Sequence, residues 1–351
     1  MNILQKISNK LMIPEDEIEG ELFNDFFILC EERTKKALKI TQDSFDSNDY
    51  SKENKGLTIY PNRGLKYGNY AEFSIRCSSE YPDFKLGNIE VKISEPSTLY
   101  DLLIGQINDK YYESSLMTTI SLQGINSLNL NDYLYQALFI IGNYFSDEYE
   151  TDYPAIEEFI GEDYYYRYSI PNLYIDKNVL SEPSDFTKFP PFKNSEVLSF
   201  YNAGMEIRDH ELSFQYFYKV LEYFYIINRS NDFKEKIQQY NSKNDIQLFI
   251  KEITKIYKDR EISQLQHLLS ANLNELSSIL EFAKEKNLIE NTESDTLANA
   301  IYKYRNSIVH GKSDDAFELK LPNLLNNEDE INWVRIIHQI SLILIKKYCL
   351  D

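Results

Sequence analysis

Pro183, Pro190 and Pro191 fall within one short stretch, SEPSDFTKFPPFKNS. Proline has a fixed φ and no amide hydrogen, so neither a helix interior nor a central strand runs through such a stretch. It reads as a linker, and it separates two segments with different hydrophobic periods. A chain of 351 residues is long enough for two domains of ordinary size. The reading is therefore an α+β fold in two parts: an N-terminal α+β, mainly β, domain over residues 1–190, and a C-terminal all-α domain over 191–351.

In the first part, Ile18, Leu22, Phe26 and Leu29 recur at helical spacing after Pro14, which predicts a helix over 15–40. The polar run DSFDSNDYSKENKG predicts a loop. YAEFSIRCS and NIEVKIS alternate, and MTTISLQG is β-branched, so all three predict strands. A buried helix is predicted over 132–145, and EDYYYRYSI predicts a further strand before Pro171. In the second part, helical periodicity appears over 196–208, 209–228, 245–257, 262–286, 293–310 and 328–348, which predicts a bundle of five or six helices.

Charge narrows the function. The chain carries 37 Lys plus Arg against 56 Asp plus Glu, a net of −19. From Ser195 onward the balance is 19 against 24, and before it 18 against 32, so the first part is the acidic one. Constitutive tight binding to nucleic acid needs a basic surface and is excluded, although a local basic site is not. Cys30, Cys77 and Cys349 are far apart with no CxxC pair, and there are four histidines. Neither a Cys/His zinc site nor a secreted disulfide scaffold fits, and no metal or other cofactor is implied. The N-terminal residues carry no apolar signal core and no apolar run has the length of a membrane span, so a cytoplasmic protein without membrane contact is expected.

The most informative string is ANAIYKYRNSIVHGK. On a helix at about 100° per residue, Leu297, Ile301, Tyr304 and Ile308 form one apolar face. Asn299, Lys303, Asn306 and His310 fall opposite, with Arg305 between the faces and Gly311 as a left-handed cap. His310 then sits in the last turn, where the helix dipole favours its protonated form. A guanidinium, an amide and an imidazole without a carboxylate suit an anionic phosphate reactant: one stabilises charge on phosphorus, one orients, and one moves protons near neutral pH. A polar stripe opposite an apolar one is also how a solvated helix face reads.

The string from Arg305 and Asn306 to His310 resembles the Arg–polar–x–x–x–His motif of the HEPN superfamily, the higher eukaryote and prokaryote nucleotide-binding domains. Upstream, HELSFQYFYKVLEYFYIINR resembles the long aromatic-rich early helix of the Apea-like branch, with Glu222 at its acidic position. The resemblance covers residues 195–351. It implies a helical domain that forms a homodimer with two motif helices facing each other, and a metal-independent ribonuclease of toxin or abortive-infection type acting on RNA, tRNA being one candidate. It assigns Arg305 to the phosphoryl transition state, Asn306 to orientation and His310 to proton transfer, with Glu222 fixing Arg305 from behind. Lys303 and Lys312, doubled in a dimer, supply a basic cleft. The chain departs from the family where a partner-silenced toxin carries Tyr two residues after the motif His; Lys312 stands there. Other domains of this kind only bind or scaffold, which is the alternative reading.

A rival set lies in YPDFKLGNIEVKIS. Asp83, Glu90 and Lys92 resemble the Asp…Glu-x-Lys arrangement of Mg²⁺-dependent restriction-type nucleases, and Glu90 and Lys92 share one face of a strand by the period of two. An exposed strand carries the same pattern. His210, His267 and His338 read as structural, His338 as a core or interface residue. The apolar last helix predicts burial in the homodimer. The acidic, tyrosine-rich first part is expected to sense a phage or host protein or to restrain the second.

Overall fold

A computed structural model describes residues 2–76, 81–104, 118–126, 129–145, 153–156, 179–180, 183–207, 209–257, 260–309 and 328–350. The chain forms two compact units, the first of Met1–Ile170 with Glu182–Pro191 and the second of Pro171–Ser181 with Phe192–Asp351. The first is mostly β and the second all helical, so the fold is α+β.

The first unit opens with α1 (Ile3–Leu11), where Asn2 and Gln5 form a reciprocal capping box. Three strands follow, β1 (Gly20–Leu22), β2 (Phe26–Glu31) and β3 (Lys36–Thr41), paired antiparallel in that order. This corrects the helix predicted over 15–40. Phe27, Leu29, Leu38 and Ile40 are buried in strict alternation, and Lys35 at φ 53° turns the hairpin. Period two therefore wins where the 18, 22, 26, 29 spacing imitates a helix. The predicted polar loop contains α2 (Gln42–Ser47), capped by Thr41, and Tyr50 beyond it is fully buried.

The larger sheet holds β4 (Leu57–Tyr60), β5 (Gly64–Tyr67), β6 (Tyr70–Arg76), β7 (Phe84–Leu86), β8 (Ile89–Ser94), β9 (Thr119–Gln123), β10 (Ala155–Ile156) and β11 (Lys188–Phe189). Its order is β11-β7-β8-β9-β6-β5-β4, with β10 also on β6. The three predicted strands are β6, β8 and β9, neighbours in the middle of the sheet. The strand predicted in EDYYYRYSI lies outside the described residues. The proline stretch does more than link: its Lys188 and Phe189 add a parallel edge strand to β7. Two further helices complete the unit, α3 (Thr98–Leu103) and α4 (Leu130–Ile140), the latter continued by a π turn to Phe145.

Register gives the central strands two unlike faces. Ala71, Phe73, Ile75, Ile120, Leu122 and Val91 share the apolar one. The other carries Tyr70, Glu72, Ser121, Gln123, Glu90 and Lys92. Glu72 is fully buried there. It accepts hydrogen bonds from Tyr70 Oη (2.8 Å), Thr119 Oγ1 (2.7 Å), the Ser97 amide (2.9 Å) and the Ser97 hydroxyl, and Arg33 lies 3.8 Å away. Glu31 caps the start of α3 through the amides of Thr98 (2.9 Å) and Leu99 (3.4 Å). Asp101 enters the same region, with Oδ1 buried and no hydrogen-bond partner among the described residues.

The second unit contains α5 (Leu198–Glu206), α6 (His210–Asn228), α7 (Ser230–Lys243), α8 (Ile246–Tyr257), α9 (Glu261–Ser270), α10 (Ser277–Glu285), α11 (Ser294–Val309) and α12 (Glu328–Ile345). That exceeds the five or six read from the sequence. The segment over 262–286 breaks after Ser270, and α7 escaped notice because it buries none of its described side chains. Helix α6 is the spine. Its Phe214, Phe217, Val220, Leu221 and Phe224 are fully buried, and α5 and α12 pack along it. Gly204 lets α5 approach closely, since a Cβ there would stand 2.8 Å from the Phe217 ring. Helix α12 is buried on nearly every side within this unit. Its apolar circumference thus needs no second copy to cover it. His338 is fully buried, its Nε2 3.0 Å from Tyr201 Oη, and burial pushes its pKa down to about 3. It is a core histidine, as read.

Burial, reinforced by Glu72 and Glu31, pushes the Asp101 carboxyl up to about 7 from its ordinary 3.8. A raised folded-state pKa means the stability is complete below the unfolded pKa and is lost as pH rises through the folded one. Asp101 should therefore cost stability progressively between about pH 4 and 7, by roughly 2–4 kcal/mol in total. Asp101→Asn should abolish that slope and raise stability at pH 8. Urea unfolding at pH 5 and pH 8 checks this; an unchanged difference between the two would contradict it.

Candidate functional site

Helix α11 carries the Arg–Asn string. Leu297, Ala298, Ile301 and Tyr304 are buried, with Tyr304 stacked on Trp333 (5.2 Å) and edge-on to Phe214 (4.7 Å). These contacts fix the rotation of the helix and so the direction in which Arg305 leaves it.

The half-buried guanidinium of Arg305 reaches across to α6 and α9. Its Nη2 lies 3.9 Å from Glu222 Oε1 and 3.7 Å from Glu261 Oε1, and its Cζ stands 5.5 Å from the centre of the Tyr218 ring. Nη1 donates to Asn306 Oδ1 at 3.0 Å. Tyr218 Oη donates to Glu261 Oε1 (2.7 Å), and Tyr225 Oη donates to Tyr218 Oη (3.2 Å). The result is one cation held by two carboxylates, one amide and an aromatic face, with a tyrosine pair orienting the second carboxylate.

The electrostatics follow from burial. Desolvation raises the Glu222 carboxyl and nearby Glu261 raises it further, while Arg305 and Lys219 oppose this. Burial also drives the Tyr218 hydroxyl far above its ordinary range, so it stays protonated and can only donate to Glu261 while accepting from Tyr225.

Of the residues singled out in the sequence, Arg305, Asn306 and Glu222 come together. Asn306 does so differently from the reading: it is 2% exposed, not part of the solvated stripe. The buried arc of α11 extends past its apolar stripe because the helix packs on α9, α6 and α10 together. Asn299 and Lys303 are exposed as read, and Lys303 leaves the helix roughly opposite to Arg305. His310 and Lys312 lie outside the described residues. Glu222 does not bond the flanking tyrosine hydroxyls; these turn to Glu261 and to each other. Glu261 is the member that sequence reasoning missed, and Tyr218, read only as a neighbour of Glu222, turns out to hold Glu261. Glu261 opens α9, where an acid at a helix start looks like ordinary dipole compensation.

In the first unit, Glu90 and Lys92 share a strand face as expected, but each charged group of the rival set has its own partner. Lys92 Nζ is 3.3 Å from Asp83 and Lys85 Nζ is 3.5 Å from Glu90. Among the described residues no three His, Cys, Asp or Glu side chains are grouped to hold a metal ion.

Removing the cation should expose the cost of the cluster. Arg305→Ala leaves Glu222 and Glu261 facing each other and strips the Tyr218 face, and should lower stability by about 1–2 kcal/mol at pH 7. Adding Glu261→Gln should recover part of that loss. Chemical denaturation of the two single variants and the double variant checks this; strict additivity would show that the groups do not act together.

Set against known protein families, curated proteins and solved structures, the chain matches none.

Proposed function

We propose that the second unit is a metal-independent endoribonuclease of prokaryotic antiviral defence or toxin type, cleaving RNA by attack of the substrate's own 2′-OH. The observation that carries this reading is the Arg305 cluster: a guanidinium pre-oriented by Glu222, Glu261 and Asn306 in the last turns of α11, five residues before His310. In the proposed reaction Arg305 neutralises charge on the phosphorane, Asn306 holds the guanidinium in place, and His310 transfers the proton. Lys303 and Lys312 supply cationic surface for the RNA backbone. Two copies bring two motif helices to one substrate, so the active form is a homodimer through the helical unit. The first unit senses a phage or host protein and restrains the second. No described helix is long and apolar enough to cross a membrane, and the protein acts in the cytoplasm.

One observation favours a second reading, a non-catalytic interaction module of the same family. Arg305 already faces two carboxylates, so an incoming phosphate must displace one or meet it protonated. The raised Glu222 carboxyl eases the latter route. The third reading, an Mg²⁺ nuclease using Asp83, Glu90 and Lys92, has the least support, because the two carboxylates are each occupied by a lysine.

The test is to sequence RNA ends after expression of the wild type, His310→Ala and Arg305→Ala. Either substitution should reduce cleavage by about 10²–10⁴-fold, EDTA should not inhibit, DNA should be resistant, and the 5′ fragments should end in a cyclic or 3′ phosphate. Cleavage that survives His310→Ala and disappears with Glu90→Ala would move the chemistry to the first unit. Absence of cleavage under every condition would leave the interaction module.

A further inference from the structure

The polar face of the larger sheet carries a groove that the proposed chemistry does not use. It encloses about 540 Å³, within the ~300–1,000 Å³ usual for small-molecule sites. Its floor is Tyr70, Ser121 and Gln123, brought side by side by the β6–β9 register, with Glu90 and Lys92 from β8 alongside. The facing wall is Glu19 and the β2–β3 turn with Glu32, Arg33 and Lys35.

Two features of the floor point to an occupant. Gln123 Oε1 is buried with no hydrogen-bond partner among the described residues. Ser121 is only 6% exposed, and its hydroxyl makes no hydrogen bond among the described residues. Buried polar groups are normally satisfied, so this floor lacks one donor for the amide oxygen, and the Ser121 hydroxyl is open to a partner. Glu72 on the same face, by contrast, has its hydrogen-bond partners.

The charges specify what fits. Both sides of the groove carry both signs: Glu90 and Lys92 on the sheet, Glu19, Glu32, Arg33 and Lys35 opposite. Glu90, Lys92 and Arg33 are anchored by Lys85, Asp83 and Glu72, whereas Glu32 and Lys35 have no ion-pair partner among the described residues. A bare anion would meet as many carboxylates as cations and gain nothing net, and a bare cation likewise. A molecule with both charges separated by hydrogen-bonding amides gains at both ends and satisfies the floor. We propose that this groove binds a short zwitterionic peptide, its charged ends facing the two walls and its backbone amides meeting Gln123 and Ser121. This site stands independently of the RNA-cleaving reading.

Titration calorimetry of the full chain tests it, with the free tripeptide Lys-Ala-Glu, the end-blocked acetyl-Ala-Ala-Ala-amide and inorganic phosphate as probes. The free tripeptide should give saturable heat. The blocked peptide and phosphate should each bind at least about tenfold more weakly, as should the free tripeptide to Gln123→Leu and to Lys92→Met. Ser121→Ala, which removes one hydroxyl, replaces Gln123→Leu should that variant melt earlier than the wild type. Absence of saturable heat from Lys-Ala-Glu to about 10 mM, tighter binding of phosphate, or wild-type affinity in these variants would overturn the proposal.

Discussion

Glu72 is a carboxylate placed where no water reaches it, in the middle of the central strand pair of a sheet. An isolated charge there would cost many kcal/mol, and the surrounding chain is arranged around that fact. Tyr70 and Thr119 come from the sheet itself, Ser97 from the residue before α3, and Arg33 from the β2–β3 turn. Three separate parts of the first unit are thereby referred to one pair of oxygens. Removing the acid would release the start of α3 and the hairpin together, because Ser97 also caps α3 through the Tyr100 amide (3.0 Å). The second unit solves the inverse problem, with a half-buried cation at the centre and acids brought to it from two other helices.

The two clusters differ in consequence. Around Glu72 the hydrogen bonds are short and the group is sealed, which suits a structural centre. Around Arg305 the ion pairs are long, 3.7 and 3.9 Å, and the guanidinium is partly open to solvent. Loose, partly exposed pairs contribute little to stability. They leave the arginine able to exchange one anionic partner for another, as the proposed reaction needs.

How much of this was legible in the sequence depends on where the determining contacts lie. The strands β6, β8 and β9 could be read because alternation is local: each second residue of YAEFSIR or IEVKIS announces its face. The region from Ile18 to Leu29 misled because four apolar residues fall at helical spacing by coincidence, while the strands bury Phe27 and Leu29 and leave Leu22 exposed, and the turn at Lys35 has no glycine to announce it. Helix α7 was silent because a helix that buries nothing leaves no stripe. At the site, Arg305 and Glu222 could be singled out from a motif and a helix pattern. Glu261 and the burial of Asn306 could not, since both follow from the way α9 lies against α11.

The C-terminal turn has a bearing on how the second unit comes apart. The amide of Lys193 donates to the Cys349 carbonyl (3.0 Å), and Asn194 Nδ2 donates to the Tyr348 carbonyl (3.0 Å), so the residues leading into α5 are tied to the turn that follows α12. Opening at either place therefore draws on the packing of both α5 and α12 against α6. Residues 193–194 and 348–349, far apart in sequence, come loose together or not at all.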